Sequence, residues 1–322
     1  MNVLVIGGAG YIGSHMVKSL IEQGHQATVL DNLCNGHRDA VHPEADMVVG
    51  DLSDCALLKR VLDYDYDGVM HFASYIQVGE SMRDPGAYYR NNFSNTLNLL
   101  DAMTGRGGRL IFSSTAAIFG NPRQAMIDEN HPCEPINPYG RSKWMVEQAL
   151  ADHDRAHGIK SVCLRYFNAA GAAPDASIGE RHTPETHLIP LILQAVSGKR
   201  PSIEIYGDDY DTPDGTCIRD YIHVVDLCDA HLLALKQLKE GADSAAYNLG
   251  NGQGFSVREV ITAVERVTGR VVPFSVAPRR EGDPDRLIAD SRLAVKELGW
   301  RPQRAELDTI IADAWRWECR RP

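Results

Sequence analysis

Short apolar runs alternate with longer amphipathic stretches through the first half of the chain. The apolar runs have the length of strands and occupy residues 3–6, 26–30, 47–49, 68–72, 109–113 and 161–165. The stretches between them predict helices, among them residues 56–62, residues 88–103 and a helix that starts near residue 139. Repeated strand–helix units predict a parallel sheet with helices on both faces, doubly wound by right-handed crossovers.

The pattern changes after residue 168. Residues 169–187, 208–220 and 278–284 are rich in Gly, Pro and polar side chains and predict irregular segments, which at such lengths are typically functional. Helical periodicity returns at residues 225–238, 257–267 and 307–315. We therefore expect an α/β protein with a first domain at residues 1–168 and a smaller α/β substrate-binding domain at residues 169–322. Residues 222–249 are expected to return to the first domain.

A glycine-rich turn follows the first predicted strand and precedes the first predicted helix. Gly7 permits a tight turn, Gly10 lets the backbone approach a pyrophosphate, and Gly13 lets the helix pack against the strand. The pattern is typical of a Rossmann sheet that binds a dinucleotide. Asp31 ends the second predicted strand and favours NAD over NADP, because a carboxylate accepts ribose hydroxyls and repels a 2′-phosphate. The alternatives are a glycine turn without a ligand and an Asp31 that only caps a turn.

Composition narrows the class of protein. The chain has 322 residues and a formal net charge of −10, with no basic stretch that would indicate a nucleic-acid surface. No apolar run is long enough to span a bilayer and no signal peptide is recognisable, so we expect no membrane association. The seven cysteines form no CxxC pair, which indicates neither a disulfide framework nor a zinc site. We expect a reducing cytoplasm and no metal.

Tyr139 and Lys143 are four residues apart on a predicted helix and so share one face. An ammonium beside a phenol lowers the phenol pKa from its usual ~10, and a positively charged nicotinamide would lower it further. Such a phenol can exchange a proton near neutral pH. The preceding predicted strand ends in Ser113, Ser114 and Thr115, at the edge of the sheet where ligands bind. The alternative is a surface pair, because this spacing also arises by chance.

A series of short motifs runs nearly end to end. They are GGAGYIGSH (7–15), DNLCNG (31–36), GD (50–51), HFAS (71–74), VGES (78–81), YYRNN (88–92), FSSTAAIFG (112–120), PYGRSK (138–143), LRYFNAAGA (164–172), GTCIRDYIHVVD (215–226) and RREGD (279–283). In these motifs the chain resembles the extended short-chain dehydrogenase/reductase family, and within it the epimerases of UDP-hexoses. The resemblance implies NAD-dependent inversion at C4 of the hexose, interconverting UDP-glucose and UDP-galactose.

The resemblance also implies site residues. Plainer roles stay open for some of them: core packing for Phe72, Phe167, Tyr206 and Leu188, a helix cap for Asn92, and solvated charge for Arg219 and Arg280. The catalytic set would be Thr115, Tyr139 and Lys143. NAD would contact Gly7, Gly10, Tyr11, Ile12, Gly13, Asp31, Asn32, Asn35, Asp51, Leu52, Phe72, Ala73, Ser74, Asn92, Tyr139, Lys143 and Phe167. The UDP-sugar substrate would contact Thr115, Asn168, Leu188, Tyr206, Arg219, Arg280 and Asp283.

Four positions depart from the pattern of many relatives. Thr115 replaces a serine but keeps the hydroxyl, and Ile76 replaces a lysine near the nicotinamide side. His187 replaces an amide beside the uridine. Leu287 replaces a tyrosine at the position that borders the C2 substituent of the sugar. We hypothesise that this smaller side chain admits an N-acetyl group.

Other activities are weighed against this one. A nucleotide-sugar dehydratase would carry Asp-Glu after the catalytic threonine, where this chain has Ala116 and Ala117. A 4-epimerase of UDP-N-acetylglucosamine, UDP-xylose or UDP-glucuronate would differ only in sugar contacts. A non-catalytic NAD-sensing module would often lack Tyr139 or Lys143. We also expect a homodimer formed through a four-helix bundle, in which the helices near residues 88–103 and 139–150 pair between subunits.

Overall fold

The computed structural model describes residues 1–280 and 283–321, and its centre is a seven-stranded parallel sheet. The strands of this sheet lie in the order β11–β6–β5–β4–β1–β2–β3. Their bounds are β1 Asn2–Ile6, β2 Gln26–Asp31, β3 Asp46–Val49, β4 Gly68–His71, β5 Gly108–Thr115, β6 Ile159–Tyr166 and β11 Ala245–Leu249. The predicted doubly wound parallel sheet is confirmed.

The winding direction reverses at β1. The chain runs outward from β1 through β2 to β3, returns to place β4 on the other side of β1, and then runs outward through β5 and β6. Ile6 at the end of β1 is in register with Leu30 of β2 and His71 of β4. In an open parallel sheet, such a reversal leaves a crevice at the carboxyl ends of the strands, where ligands bind.

Helices cover both faces of the sheet. One apolar core packs α1 and α8 against one face, and a second packs α2, α5 and α6 against the other. Both faces are therefore buried, which explains the continuous apolar strands of the sequence. The helices are α1 Tyr11–Glu22, α2 Cys55–Val61, α3 Val78–Arg83, α4 Pro85–Tyr88, α5 Asn95–Met103, α6 Pro138–His157, α7 Leu188–Ser197, α8 Val224–Lys239, α9 Val257–Thr268, α10 Arg292–Glu297 and α11 Leu307–Arg320.

The helical stretch predicted for residues 88–103 is confirmed, but it is not α-helical throughout. A π-helical turn at Tyr89–Ser94 joins α4 to α5. Within this turn, Asn92 is buried and its side-chain amide accepts from the Tyr75 N–H at 2.8 Å and donates to the Tyr75 carbonyl at 3.0 Å. The wider turn carries this side chain out of the helical pattern, a distortion that hydrophobic periodicity does not reveal.

A third core lies among α7, α9 and α11. Small strand groups accompany it: β7 with β10, β8 with β13, and β9 with β12 and β14. The chain then contributes α8 and β11 to the central sheet, where β11 pairs in parallel with β6. None of the helices in the described part of the chain is long and apolar enough to cross a bilayer. The bounds are β7 Asn168–Ala170, β8 Ile203–Tyr206, β9 Ile218–Arg219, β10 Tyr221–His223, β12 Phe255–Ser256, β13 Phe274–Ala277 and β14 Arg286–Leu287.

Candidate active site

A cavity of about 1070 Å³ opens at the carboxyl ends of the central strands. Most of the residues expected from the sequence line it. They are Gly7, Gly10, Tyr11, Ile12, Gly13, Asp31, Asn32, Asn35, Asp51, Leu52, Phe72, Ala73, Ser74, Thr115, Tyr139, Lys143, Phe167, Asn168 and Arg219. Five expected residues do not line it, namely Asn92, Leu188, Tyr206, Arg280 and Asp283.

The glycine turn needs its glycines for geometric reasons. Gly7 has a φ of +79°, and a Cβ there would lie 2.6 Å from the Ala73 nitrogen. A Cβ on Gly13 would lie 2.1 Å from the Gly7 carbonyl oxygen. No side chain caps the N-terminus of α1, and its first turn has no acidic residue. These free N–H groups and the positive end of the helix dipole fit a pyrophosphate.

Asp31 caps a turn, which is the plainer of the two roles that the sequence left open, and it also lies at the cavity. Its carboxylate accepts the Ala9 N–H at 2.9 Å and the Leu33 N–H at 2.8 Å, so it caps the turn after β2. The residue also lines the cavity. Each carboxylate oxygen has a second lone pair, so these bonds leave acceptors for a ribose. Beside it, the Asn32 side chain donates to Asp51 at 2.6 Å.

Tyr139 lies in the first turn of α6, next to the end of β5. Asn137 caps this helix by accepting the Gly140 N–H at 2.8 Å, and Pro138 occupies its first position. Burial raises the pKa of the Tyr139 phenol, and a hydrogen bond with the Thr115 side chain opposes that rise. The two side chains expected to act together both line the cavity.

The hydrogen bonds of Lys143 go to residues other than Tyr139. Its Nζ donates to the Ser74 hydroxyl at 2.7 Å and to the Ser113 carbonyl at 2.8 Å. Burial lowers the pKa of Lys143 to about 7, although the Glu147 carboxylate opposes the change. Burial, rather than this lysine, sets the direction of the Tyr139 pKa shift.

Asn92 lies behind the cavity wall rather than in it. Besides its two bonds to Tyr75, its amide donates to the Ser142 hydroxyl at 3.1 Å. Those bonds fix the segment that follows Ser74 against α6. In this structure Asn92 therefore hydrogen-bonds only within the protein, between the segment after Ser74 and α6. This role differs from both the expected cofactor contact and a helix cap.

The residues expected to hold UDP separate into three groups. Arg219 lines the cavity, and its guanidinium donates to the Asp283 carboxylate at 2.6 Å and to the Pro284 carbonyl at 2.9 Å. Arg280 is exposed, and its guanidinium carbon lies 3.9 Å from the centroid of the half-buried Tyr206 ring. Leu188 packs against the third core, at the start of α7. Asp283 thus orients Arg219 without reaching the cavity itself.

The positions that depart from the family pattern also lie at the cavity. Ile76, His187 and Leu287 all line it. Leu287 lies opposite Arg219 in the short parallel pairing of β14 with β9. The pairing puts Leu287 close to Arg219, the cation that is expected to contact the UDP-sugar.

Sequence reasoning missed a compact group of titratable side chains on the cavity wall. Glu180, His182, Glu185 and His187 bring together ligand-type atoms that all lie within 4.8 Å of one another. Burial lowers the pKa of His182, but the two neighbouring carboxylates outweigh burial and raise it to about 9. In the sequence, Arg, Thr and Pro separate these four residues, and their spacing is not that of a zinc finger. Only an irregular loop was therefore expected there.

Comparison with known proteins gives consistent results. Residues 3–250 match the model of the NAD dependent epimerase/dehydratase family. The chain is 52% identical to UDP-glucose 4-epimerase of Streptococcus mutans, over 100% of this chain and 98% of that protein. It superposes on Brucella ovis UDP-glucose 4-epimerase in complex with NAD with a TM-score of 0.95, at 50% identity and covering 98% of both chains. It also resembles the UDP-Glc/GlcNAc 4-epimerase of Campylobacter jejuni, with a TM-score of 0.85, 43% identity and 99% of both chains covered. The chain belongs to the NAD dependent epimerase/dehydratase family.

Proposed function

We propose that this chain is a UDP-glucose 4-epimerase that uses NAD to interconvert UDP-glucose and UDP-galactose. The observation that carries the proposal is that Tyr139, Thr115 and the glycine turn line the same cavity. The names of the relatives that match over the full length support it.

The cavity residues fit NAD. The uncapped start of α1 suits a pyrophosphate, and the remaining acceptors of Asp31 suit the adenosine ribose. The third hydrogen of the Lys143 ammonium and the Ser74 hydroxyl would hold the second ribose. Bound NAD would supply hydride exchange at C4 of the sugar and a positive ring charge beside the phenol. These contacts leave Tyr139 and Thr115 for the substrate.

Proton transfer is the task of Tyr139. In its phenolate form the oxygen accepts the proton of the sugar 4-hydroxyl, and it returns that proton when the 4-keto group is reduced. The Thr115 hydroxyl donates a hydrogen bond to the same sugar oxygen and holds it in position. Because burial raises the phenol pKa, the phenolate depends on a cation brought close to it.

Inversion requires a firm hold on UDP and a loose hold on the sugar. Arg219 offers a guanidinium that Asp283 and Pro284 keep in place, and Asn168 lies nearby on β7. Arginine binds phosphate oxygens strongly in a bidentate way. A tethered diphosphate lets the 4-keto sugar turn and present its opposite face to the same hydride donor.

The other activities have less support. Ala116 and Ala117 follow Thr115 in a short 3₁₀ turn, so no acid–base pair for dehydration stands there. A non-catalytic NAD-sensing module has no need of the adjacent Tyr139 and Thr115 hydroxyls. A second UDP-sugar is favoured by one observation, since Leu287 at the cavity leaves more room than a tyrosine.

The test is conversion of UDP-galactose. Purified protein incubated with UDP-galactose should form UDP-glucose without added NAD and reach the same equilibrium mixture from either sugar. The product is measured by nucleotide-sugar chromatography. A panel with UDP-N-acetylgalactosamine and UDP-xylose ranks the alternative substrates. Absence of UDP-glucose after bound NAD has been demonstrated would contradict the proposal.

We further propose a homodimer in a reducing cytoplasm. The exposed apolar side chain of Met82 lies on α3, which packs against α6, one of the helices expected in the interface. All seven cysteines are free thiols, which supports the compartment. Light scattering should give the mass of two chains, and Met82→Glu should shift it toward one.

A further inference from the structure

We propose that Glu180, His182, Glu185 and His187 form a binding site for one Zn²⁺ ion on the wall of the cavity. This inference concerns metal content and does not depend on the epimerase activity. The segment that carries the four residues joins the paired strand β7 to the start of α7, where His187 is the N-cap residue. Glu180, His182 and His187 line the cavity.

The histidine nitrogens and carboxylate oxygens are close enough to share one metal ion, since each residue brings one ligand atom within 4.8 Å of the other three. His187 Nδ1 lies 2.8 Å from Glu180 Oε1 and 3.1 Å from Glu185 Oε1. His182 Nδ1 lies 3.3 Å from Glu180 Oε1 and 3.6 Å from Glu185 Oε2. Zinc bonds of ~2.0 Å in tetrahedral geometry separate neighbouring ligands by about 3.3 Å. The observed values lie on both sides of that separation, so small side-chain rotations would complete the coordination.

Two buried polar atoms of the cluster lack a hydrogen-bond partner. They are Glu185 Oε2 and His182 Nδ1, which face each other. The side chains of Glu180 and Glu185 are only 6% and 3% exposed. Burying two carboxylates together is costly unless positive charge accompanies them. A divalent cation between the four atoms would compensate both charges and satisfy both unpartnered atoms.

The donor set selects the metal. Two imidazole nitrogens disfavour Mg²⁺ and Ca²⁺, which prefer oxygen ligands, and suit Zn²⁺. Four protein ligands leave no open position, which is typical of a structural rather than a catalytic zinc. The backbone N–H groups of Thr186 and His187 donate to Glu185 Oε1 at 2.8 and 3.0 Å and orient that carboxylate. The metal would therefore fix the cavity wall at the entry to α7.

The alternative is a cluster held by protons alone. Both histidines would then be imidazolium ions paired with the two carboxylates, and no metal would be retained. Sequence reasoning expected no metal, and only direct metal analysis separates the two states. Zinc and protons compete for the same ring nitrogens, because zinc requires unprotonated Nδ1 atoms.

The experiment measures zinc in the full-length protein with its nucleotide bound. The protein is treated with a chelator, reloaded with one equivalent of Zn²⁺, passed through gel filtration and analysed by mass spectrometry of the metal. We expect one zinc ion per chain, and a rise in melting temperature on reloading. Co²⁺ in place of Zn²⁺ should give the strong visible absorption of tetrahedral coordination.

Variants identify the ligands. Glu185→Gln and His182→Gln should each lower zinc affinity by at least about tenfold, and zinc should no longer raise their melting temperature. Two control variants should keep one zinc: His157→Gln, which removes a partner of the neighbouring His153 on α6, and the triple variant Cys34→Ser, Cys55→Ser, Cys319→Ser, which removes the exposed thiols.

Three results would overturn the proposal. They are wild-type protein that retains no zinc, zinc that persists at full affinity in both Glu185→Gln and His182→Gln, and zinc that disappears in either control variant. Circular dichroism of the metal-free proteins shows whether each variant is folded. If Glu185→Gln or His182→Gln is misfolded, His187→Gln takes its place in the zinc measurement.

Discussion

Replacing Glu147 with leucine should lower the melting temperature of the protein far more than replacing an exposed glutamate. Glu147 lies one helical turn after Lys143 on α6 and is nearly buried, as is its partner Arg165. Its carboxylate accepts from Arg165 Nη2 at 2.6 Å and Nε at 3.1 Å, and from the Ser114 hydroxyl at 2.5 Å. These bonds join α6 to β5 and β6, the elements that position Tyr139 and Thr115.

The magnitude follows from the burial of both partners. The Arg165 and Glu147 side chains are 8% and 4% exposed, so Glu147→Leu leaves an unpaired guanidinium away from water. Breaking a buried ion pair in this way costs about 3–5 kcal/mol. At roughly 2 °C per kcal/mol for a chain of this size, the melting temperature should fall by about 6–10 °C. Adding Arg165→Met should recover much of that loss, because no buried charge then remains uncompensated.

Differential scanning calorimetry of the wild type, the single variant and the double variant measures these changes. The matched control is Glu134→Leu, which breaks the Arg123–Glu134 pair, since both of these side chains are 60% exposed. That change should cost no more than about 1 kcal/mol. If Glu147→Leu shifted the melting temperature no further than Glu134→Leu, or if the double variant were less stable than the single one, the reasoning would be refuted.

Three further predictions concern the cavity. Gly13→Ala should abolish NAD retention, measured as nucleotide released on denaturation, because its Cβ would lie 2.1 Å from the Gly7 carbonyl oxygen; Gly79→Ala, whose Cβ meets nothing within 4 Å, should retain NAD. Lys143 has a folded pKa of about 7, below its unfolded value of ~10.5, so the charged lysine destabilises the fold below pH 7 and this penalty fades as pH rises to 10.5. The melting temperature of the wild type minus that of Lys143→Met should therefore increase from pH 7 to pH 10, and a constant or falling difference would contradict the shift. Leu287→Tyr should reduce turnover of UDP-N-acetylglucosamine at least about tenfold while sparing UDP-glucose, and equal losses for both would refute the role assigned to this side chain.

Periodicity and glycine spacing predicted the central sheet well because they reflect local requirements. Both faces of β1 and β4 are covered, so their sequences are continuously apolar, and Gly7 and Gly13 are required by close backbone contacts. The π-helical turn at Tyr89–Ser94 was not predictable in this way. It depends on hydrogen bonds of Asn92 to Tyr75 and Ser142, which are distant in sequence.

The sequence predicted which residues line the cavity better than it predicted the hydrogen bonds and pKa shifts of those residues. Spacing put Tyr139 and Lys143 on one face, but it could not show that Nζ turns toward Ser74 and the Ser113 carbonyl. Burial then lowers the pKa of the lysine and raises that of the phenol. Such shifts depend on the depth of a side chain, which only the folded arrangement determines.

The cluster on the cavity wall shows the same limit. Glu180 and His187 lie seven positions apart in an irregular segment, a spacing that on a helix would separate them by about 10 Å along the axis. Their side chains nevertheless approach to 2.8 Å. Only the path of the chain between β7 and α7 brings them together.

The most direct test of the account is the rate at which Tyr139→Phe converts UDP-galactose to UDP-glucose. The variant lacks only the phenolic oxygen, so it should retain NAD while its turnover falls by at least about 10²-fold. The matched control Tyr64→Phe, at an exposed position, should keep wild-type turnover. A Tyr139→Phe protein that keeps NAD and epimerises within a few-fold of the wild-type rate would contradict the assignment of proton transfer to this residue.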